Sequence, residues 1–265
     1  MDRQPLTPTP PAGFSARVRT SFGRQAAGYG ERALLQRAVA WRLAHLVAPL
    51  PLPAGPRADL GAGTGLLGQA LLAQSGSAAQ PPWQPLQQLD LCPELLVHNP
   101  LSGHQGQRVW NLELGLPPQL NDAALLCSSF ALQWLADPPR QLRHWCRSLA
   151  PGGWLALAVP TAGCFPEWHQ AASRAGVPCT ALPLPRAEAL ESVARQQLTP
   201  TRLQRLRFTR TDGDGLRFLR ALRSLGAGPS PRPPLAAVQL RRLLQQWPAA
   251  GRITWEVLVL VGQRR

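Results

Sequence analysis

Residues 59–65 constrain the fold more than any other segment, because they place three glycines directly after an apolar strand pattern. The segment is Asp59-Leu60-Gly61-Ala62-Gly63-Thr64-Gly65. Residues 57–60 predict a short buried strand and residues 66–74 a helix, so the glycines fall where a strand enters a helix. At such a turn the backbone can approach a ligand closely, and the helix N-terminus offers free N–H donors. The segment therefore predicts an α/β domain with a nucleotide-like ligand at this turn.

Strand and helix patterns alternate along the rest of the chain. The predicted strands cover residues 57–60, 86–90, 108–112, 123–127, 154–159, 203–209 and 253–261. The predicted helices cover residues 31–46, 66–74, 140–149, 167–175, 186–196, 212–225 and 235–246. Alternation at this spacing indicates right-handed βαβ units in a doubly wound, mostly parallel sheet. Because helices separate the last two strands, we expect the sheet to be completed after a small helical cap inserted near the C-terminus.

The ends of the chain and one polar segment suggest the domain limits. Residues 1–20 are rich in Pro, Thr and Arg and predict a flexible tail. Residues 21–265 then form one domain, with the cap built from about 21–40 and 210–250, and residues 75–85 form a polar loop. The N-terminus lacks the apolar stretch of a signal peptide, and no apolar run approaches the ~20 residues that cross a bilayer. We therefore expect a cytoplasmic protein without a membrane partner.

The charge and the cysteines exclude other classes of function. All 28 basic residues are arginines, and they give a net charge of +14. They are dispersed rather than clustered into an arm, so we expect no nucleic-acid partner, whereas an acidic protein partner remains compatible. The five cysteines are scattered singly without a CxxC pair, so we expect neither a disulfide framework nor a metal site. We expect the chain to be a monomer.

Asp59 distinguishes between two ligands that a glycine turn can bind. Residues 63–68 also match the GxGxxG pattern of dinucleotide-binding proteins. A carboxylate two residues before the first glycine would repel a pyrophosphate. S-adenosylmethionine instead carries a cationic sulfonium and an amino group, which an acid attracts. The pattern therefore favours S-adenosylmethionine as the cofactor, with Asp59, Gly61, Gly63 and Gly65 at its site.

Two later strand ends supply the other predicted cofactor residues. Asp90 ends the second predicted strand, where a carboxylate can accept hydrogen bonds from ribose hydroxyls, with Leu91 beside it. After the third strand, Asn111 can bind the adenine amino group, and Leu112 can pack against the ring. Plain structural roles for the glycine turn, for Asp90 and for Asn111 remain open alternatives.

Four segments taken together resemble the motifs of class I S-adenosylmethionine-dependent methyltransferases. They are DLGAGTG, LDLCPELL, DAALLCSS and LAPGGWLAL, within about residues 20–160. The resemblance implies a Rossmann-like sheet of seven strands, with the cofactor across the carboxyl ends of the first strands.

A narrower resemblance involves segments spread over nearly the whole chain. Residues 21–27 with Tyr29, 129–134, 165–171 and 222–227 are similar to the malonyl-acyl-carrier-protein O-methyltransferase family of biotin synthesis. This resemblance implies methylation of the free carboxylate of a malonyl thioester, on malonyl-acyl-carrier protein or malonyl-coenzyme A. Two alternatives remain open. The chain is a methyltransferase that acts on another small metabolite, or it is an inactive methyltransferase-like binding module.

The resemblance also suggests residues for the acceptor. Residues 222–227 form the segment that we call the cap motif, and Arg223 within it can hold a carboxylate through its planar guanidinium. Tyr29, Gln133 and Trp134 are expected to line the same pocket. No catalytic base is assigned, because a carboxylate is already ionised at neutral pH.

Overall fold

The computed structural model describes residues 13–74, 85–101, 106–211, 213–249 and 251–265. The helices are α1 (Phe14–Gly23), α2 (Ala26–Arg32), α3 (Leu34–Val47), α4 (Leu66–Gln74), α5 (Pro93–Val97), α6 (Pro138–Arg147), α7 (Pro166–Arg174), α8 (Ala187–Gln197), α9 (Gly215–Ser224) and α10 (Ala237–Gln245). The strands are β1 (Arg57–Leu60), β2 (Gln87–Asp90), β3 (Gln107–Val109), β4 (Ala123–Ser129), β5 (Leu149–Pro160), β6 (Leu198–Thr211) and β7 (Arg252–Arg264). Of the polar loop predicted at 75–85, all but Pro85 lies outside the described residues. In the described ranges, no helix is long and apolar enough to cross a membrane.

The strands form one seven-stranded sheet in the order β3-β2-β1-β4-β5-β7-β6. The first five strands pair in parallel, whereas β7 runs antiparallel to both β5 and β6. This topology confirms the predicted doubly wound, mostly parallel sheet. The chain order reverses between β1 and β4, and at such a switch point the carboxyl ends of neighbouring strands open a crevice.

Apolar side chains of the central strands alternate between two packed layers. In β4, Leu125 and Cys127 lie in one cluster with the apolar faces of α3 and α4. Leu126, between them, lies in a second cluster with Trp145 of α6 and Val193 of α8. Because helices cover both faces, every position of such a strand is apolar, which explains why residues 123–127 were recognisable as a central parallel strand.

The flexible tail predicted for residues 1–20 is too long at its C-terminal end. α1 begins at Phe14, and the side chains of Phe14 and Val18 are buried. Two apolar residues four positions apart lie on one helix face, and packing of that face fixes residues 14–20. The predictions for residues 1–12 lie outside the described residues.

Two predicted elements end differently in the structure. The helix predicted over 31–46 is divided, because α2 ends at Arg32 and α3 begins at Leu34. The third strand ends at Val109, before the predicted limit of 112. Asn111 accepts a hydrogen bond from the backbone of Glu113, and this bond starts a one-turn 3-10 helix instead.

A third apolar cluster joins α7, α9, α10 and the start of β7. The Phe218 ring lies 5.3 Å from the Phe165 ring and 5.9 Å from both Trp168 and Trp247. α9 and α10 fall within the predicted cap range of 210–250. The division of the chain into a main domain and a cap stays a prediction.

Glu256 of β7 is a buried carboxylate that joins three strands. Its Oε1 accepts a hydrogen bond of 2.7 Å from Thr161 Oγ1, directly after β5. Its Oε2 accepts hydrogen bonds of 3.2 Å from two guanidinium nitrogens of Arg207 on β6. This network holds the late strands together at the edge where the cap packs.

Replacing Glu256 with alanine should lower the free energy of unfolding by about 1–3 kcal/mol, because the buried Thr161 hydroxyl would lose its partner. Chemical denaturation of the purified protein measures this change. Glu31→Ala, at an exposed position of α2, is the control and should change stability by less than about 0.5 kcal/mol. Equal, small changes in both variants would contradict a structural role for Glu256.

Candidate active site

The glycine turn between β1 and α4 borders a cavity at the switch point of the sheet. Gly61 has a φ of 77°, in the left-handed region that glycine tolerates best, and a Cβ there would overlap the side chain of Ala131 after β4. The predicted cofactor residues that line this switch-point cavity are Asp59, Gly61, Gly63, Asp90, Leu91, Asn111 and Leu112. Gly65 does not line it, because it packs against the side chain of Asn99.

Asp90 fixes the glycine turn to the loop after β2. Its Oδ2 accepts a hydrogen bond of 2.8 Å from the Gly63 N–H, and its Oδ1 accepts one of 2.8 Å from the Cys92 N–H. Burial raises the pKa of Asp90 to about 6, although these backbone hydrogen bonds act to lower it. Each carboxylate oxygen has two lone pairs, so both can still accept a bond from a ribose hydroxyl.

Asp59 is the most unusual polar group in the switch-point cavity. Its side chain is 1% exposed, and its Oδ2 has no hydrogen-bond partner within the described part of the chain. Burial, together with the negative charge of Asp90, raises the pKa of Asp59 to about 7. A buried carboxylate without a partner is costly unless a ligand supplies positive charge. The ammonium and sulfonium groups of S-adenosylmethionine fit this requirement, and a pyrophosphate does not.

The far end of the switch-point cavity suits an adenine ring. Leu112 is buried there, and Asn111 Oδ1 accepts a hydrogen bond of 3.0 Å from the Glu113 N–H. This oxygen has a second lone pair, so it can still accept a hydrogen bond from the adenine amino group, and the Nδ2 group can donate one to a ring nitrogen. The contact of Asn111 with adenine stays a prediction.

A second cavity adjoins the first and is lined in part by residues of α9, and we call it the cap cavity after the predicted cap. Five residues line both cavities, namely Phe22, Tyr29, Gln36, Phe130 and Trp134. We call these five residues the junction. The Phe22 ring makes edge contacts with the Trp134 ring at 5.4 Å and with the Tyr29 ring at 6.0 Å. Four of the five junction residues are aromatic, so this part of the cavity wall offers water few hydrogen-bonding groups.

All four predicted acceptor residues line this cap cavity: Tyr29, Gln133, Trp134 and Arg223. Burial and the nearby charge of Asp90 raise the pKa of Tyr29, so its hydroxyl stays protonated and can donate a hydrogen bond. Gln133 donates a hydrogen bond of 2.7 Å from Nε2 to the Phe130 carbonyl, and its buried Oε1 lacks a partner among the described residues. The structure therefore brings the four residues to one space, while their contacts with an acceptor stay predictions.

The charge of the cap cavity has a single sign. Four of the residues that line it are arginines, and none of its described lining residues is acidic. They are Arg17, Arg220, Arg223 and Arg232. None of the four takes part in an ion pair between described residues. The cap cavity is therefore electrostatically suited to an anionic acceptor.

Close packing of the end of α9 on α1 helps to place Arg223 at the wall of the cap cavity. Gly226, two residues after α9, has a φ of 79°, and a Cβ there would lie 2.8 Å from the Phe22 Cα atom. Any larger residue would push the end of α9 away from α1. The Gly-Ala pair of the cap motif thus has a packing function.

Three junction residues, Phe22, Gln36 and Phe130, were not among the predicted site residues. Gln36 lies on α3, in a stretch whose other buried residues are apolar. Phe130 has a φ of 56°, which is unusual for a residue other than glycine and is common near functional sites. A polar residue on an apolar helix face was the one available signal for Gln36, whereas the conformation of Phe130 has no signal in the sequence.

The comparisons with known proteins agree with this geometry. No family model matches the chain. The malonyl-[acyl-carrier protein] O-methyltransferase of Magnetococcus marinus is 32% identical over 243 residues, which cover 87% of this chain and 85% of that protein. The biotin biosynthesis bifunctional protein BioCD of Bordetella avium is 34% identical over 88% of this chain, which spans only 49% of that longer protein.

A solved structure shows the same fold. Geranyl diphosphate C-methyltransferase from Streptomyces coelicolor, solved with S-adenosyl-L-homocysteine, superposes with a TM-score of 0.54 at 12% identity, over 97% of this chain and 100% of that chain. The fold and the switch-point cavity define a class I S-adenosylmethionine-dependent methyltransferase. Within that class, the sequence relationship is more specific. The chain belongs to the malonyl-[acyl-carrier protein] O-methyltransferase family.

Proposed function

We propose that this protein methylates the free carboxylate of a malonyl thioester in biotin synthesis, with S-adenosylmethionine as the methyl donor. The observation that carries the proposal is that two adjoining cavities favour ligands of opposite charge. The switch-point cavity contains the unpartnered carboxylate of Asp59, and the cap cavity contains four arginines without an acid among its described lining residues. A cationic donor and an anionic acceptor would thus meet at the junction.

Different residues of the switch-point cavity would bind different parts of the cofactor. Asp59 would attract the cationic methionine end, and Asp90 would accept hydrogen bonds from the ribose hydroxyls. Asn111 and Leu112 would bind the adenine, and Leu91 would pack beside the ribose. Gly61 and Gly63 would leave room for the ligand along the turn, whereas Gly65 would support the shape of the turn through its packing against Asn99.

The chemistry needs positioning rather than a general base. When bound, S-adenosylmethionine supplies an electrophilic methyl group that a carboxylate oxygen can accept without prior loss of a proton. Arg223 would hold the acceptor carboxylate from the cap side. Phe22, Phe130 and Trp134 would exclude water, so that the nucleophilic oxygen enters the junction without its hydration shell.

An acidic carrier protein suits the exterior of this site. The arginines that line the cap cavity are exposed, and the whole chain carries a net charge of +14. Such a surface would steer an acidic acyl carrier protein toward the cavity. We propose that the chain acts on malonyl-acyl-carrier protein as a monomer. A cytoplasmic location is part of the proposal, since all five cysteines are free.

Methyl transfer from radiolabelled S-adenosylmethionine tests the proposal. Malonyl-acyl-carrier protein and malonyl-coenzyme A should become labelled, and acetyl-coenzyme A, which lacks the free carboxylate, should not. The faster of the two malonyl thioesters identifies the preferred carrier. Binding of S-adenosylmethionine without transfer to either malonyl thioester would show that the acceptor is a different metabolite.

A further inference from the structure

We infer that Gln36 binds the acceptor carboxylate at the point of methyl transfer, through a hydrogen bond donated by its side-chain amide. The inference rests on the proposed function and names a specificity residue within it. Arg223 lines the cap cavity but not the switch-point cavity, whereas Gln36 lines both. Gln36 is therefore placed nearer to the site of transfer than any of the four arginines.

The surroundings of Gln36 indicate a ligand-binding role. Its side chain is 9% exposed, on a helix that otherwise buries Val39, Ala40, Leu43, Ala44 and Val47. Its amide makes no hydrogen bond to any residue in the described ranges. Its amide atoms are not sealed inside the protein, so they are accessible from the cavities that Gln36 lines. An amide at a cavity wall that makes no internal hydrogen bond keeps its two N–H donors available for a ligand.

The charge requirement at the junction favours an amide over a guanidinium. A positive side chain beside the reacting oxygen would repel the cationic donor and would draw electron density from the nucleophile. A neutral amide N–H can hold one carboxylate oxygen in line without repelling the donor, and it withdraws less electron density than a guanidinium does. Tyr29 is the other neutral donor at the junction, because its hydroxyl keeps its proton. Arg223 can thus hold the carboxylate from the cap side, while neutral donors at the junction align the oxygen that accepts the methyl group.

Two variants of similar length test the role of the amide. Gln36→Met removes the hydrogen bond and should raise the KM for malonyl-coenzyme A about 10-fold. Gln36→Glu adds repulsion against the acceptor and should raise this KM a further ~10-fold or more. Because S-adenosylmethionine is cationic, its Kd measured by calorimetry should not weaken in Gln36→Glu. Gln245→Met, exposed on α10 and outside both cavities, is the control.

The outcomes separate this inference from the proposed function. A purely packing role predicts similar losses in both variants, with weaker binding of donor and acceptor alike. If the wild-type protein methylates malonyl-coenzyme A but both variants keep its KM within about twofold, the inference is wrong and the proposed function stands. If the wild-type protein methylates no malonyl thioester, the proposed function fails, and the acceptor assigned to Gln36 fails with it.

Discussion

Replacing Asp59 with asparagine should make the free protein more stable at pH 8 and weaken its binding of S-adenosylmethionine by about 10- to 100-fold. Both effects have one cause, which is the burial of a carboxylate without a partner. Its pKa is raised to about 7, first by burial and then by the charge of Asp90. Asparagine has nearly the same shape and no charge, so it removes the cost of ionisation together with the attraction for a cation.

The stability effect depends on pH in a defined direction. A carboxyl whose pKa is higher in the folded than in the unfolded state contributes stability below about pH 4, and this contribution is lost as the pH rises through about 7. At pH 8 the substitution should therefore add at least about 1 kcal/mol, or ~2–4 °C in Tm. At pH 5 the gain should be about one third as large, because this pH lies only about one unit above the pKa of the unfolded chain.

Thermal unfolding at pH 5 and pH 8, with and without S-adenosylmethionine, measures both effects. Asp122→Asn is the matched control, since Asp122 is exposed and has a φ of 53° that asparagine also tolerates. The control should change neither the Tm nor the ligand affinity. A loss of stability at pH 8 in Asp59→Asn, with unchanged ligand affinity, would contradict the role assigned to Asp59.

Replacing Arg223 with alanine should raise the KM for malonyl thioesters about 10- to 100-fold, because a charge-assisted hydrogen bond to the acceptor carboxylate is worth ~1.5–3 kcal/mol. The Kd for S-adenosylmethionine should stay within about twofold of the wild-type value, since Arg223 does not line the switch-point cavity. Arg223→Lys keeps the charge but loses the planar fork, and its KM should be intermediate.

Arg241→Ala is the control for the loss of one positive charge. Arg241 is exposed on α10 and lines neither cavity. Steady-state kinetics at several salt concentrations distinguishes the two arginines. Equal, salt-sensitive losses in both variants would mean that Arg223 contributes only to the general positive field and does not hold the carboxylate.

Much of the sheet could be predicted because its central strands are locally distinctive. Residues 123–127 are wholly apolar and buried on both faces, and the glycine turn after β1 follows from residue types alone. The edges of the sheet were harder to predict. Val109 of β3 is 53% exposed, so little burial distinguishes this strand from the loop that follows. α1 was missed because arginines surround its two buried side chains, Phe14 and Val18.

The substrate side of the site depends on contacts that the sequence does not display. Arg17 lies on α1 and Arg223 on α9, about two hundred positions apart in the chain. They line one cavity because Gly226 lets the cap approach Phe22. The role proposed for Gln36 could not be predicted from the sequence either. It depends on the position of Gln36 in the walls of both cavities, which only the structure shows. Most of the predicted cofactor residues line one cavity because they follow three adjacent strand ends, and their contacts with the cofactor stay predictions.

The most direct test of the central claim is to identify the atom that receives the methyl group. Malonyl-acyl-carrier protein should be incubated with the enzyme and S-adenosylmethionine carrying a ¹³C-labelled methyl group, and the product examined by NMR and mass spectrometry. The proposed function predicts one added methyl on the acyl chain, with the chemical shift of a methyl ester and loss of the label under mild alkaline hydrolysis. A methyl group bound to carbon, nitrogen or sulfur, or no methyl on the acyl chain, would contradict it.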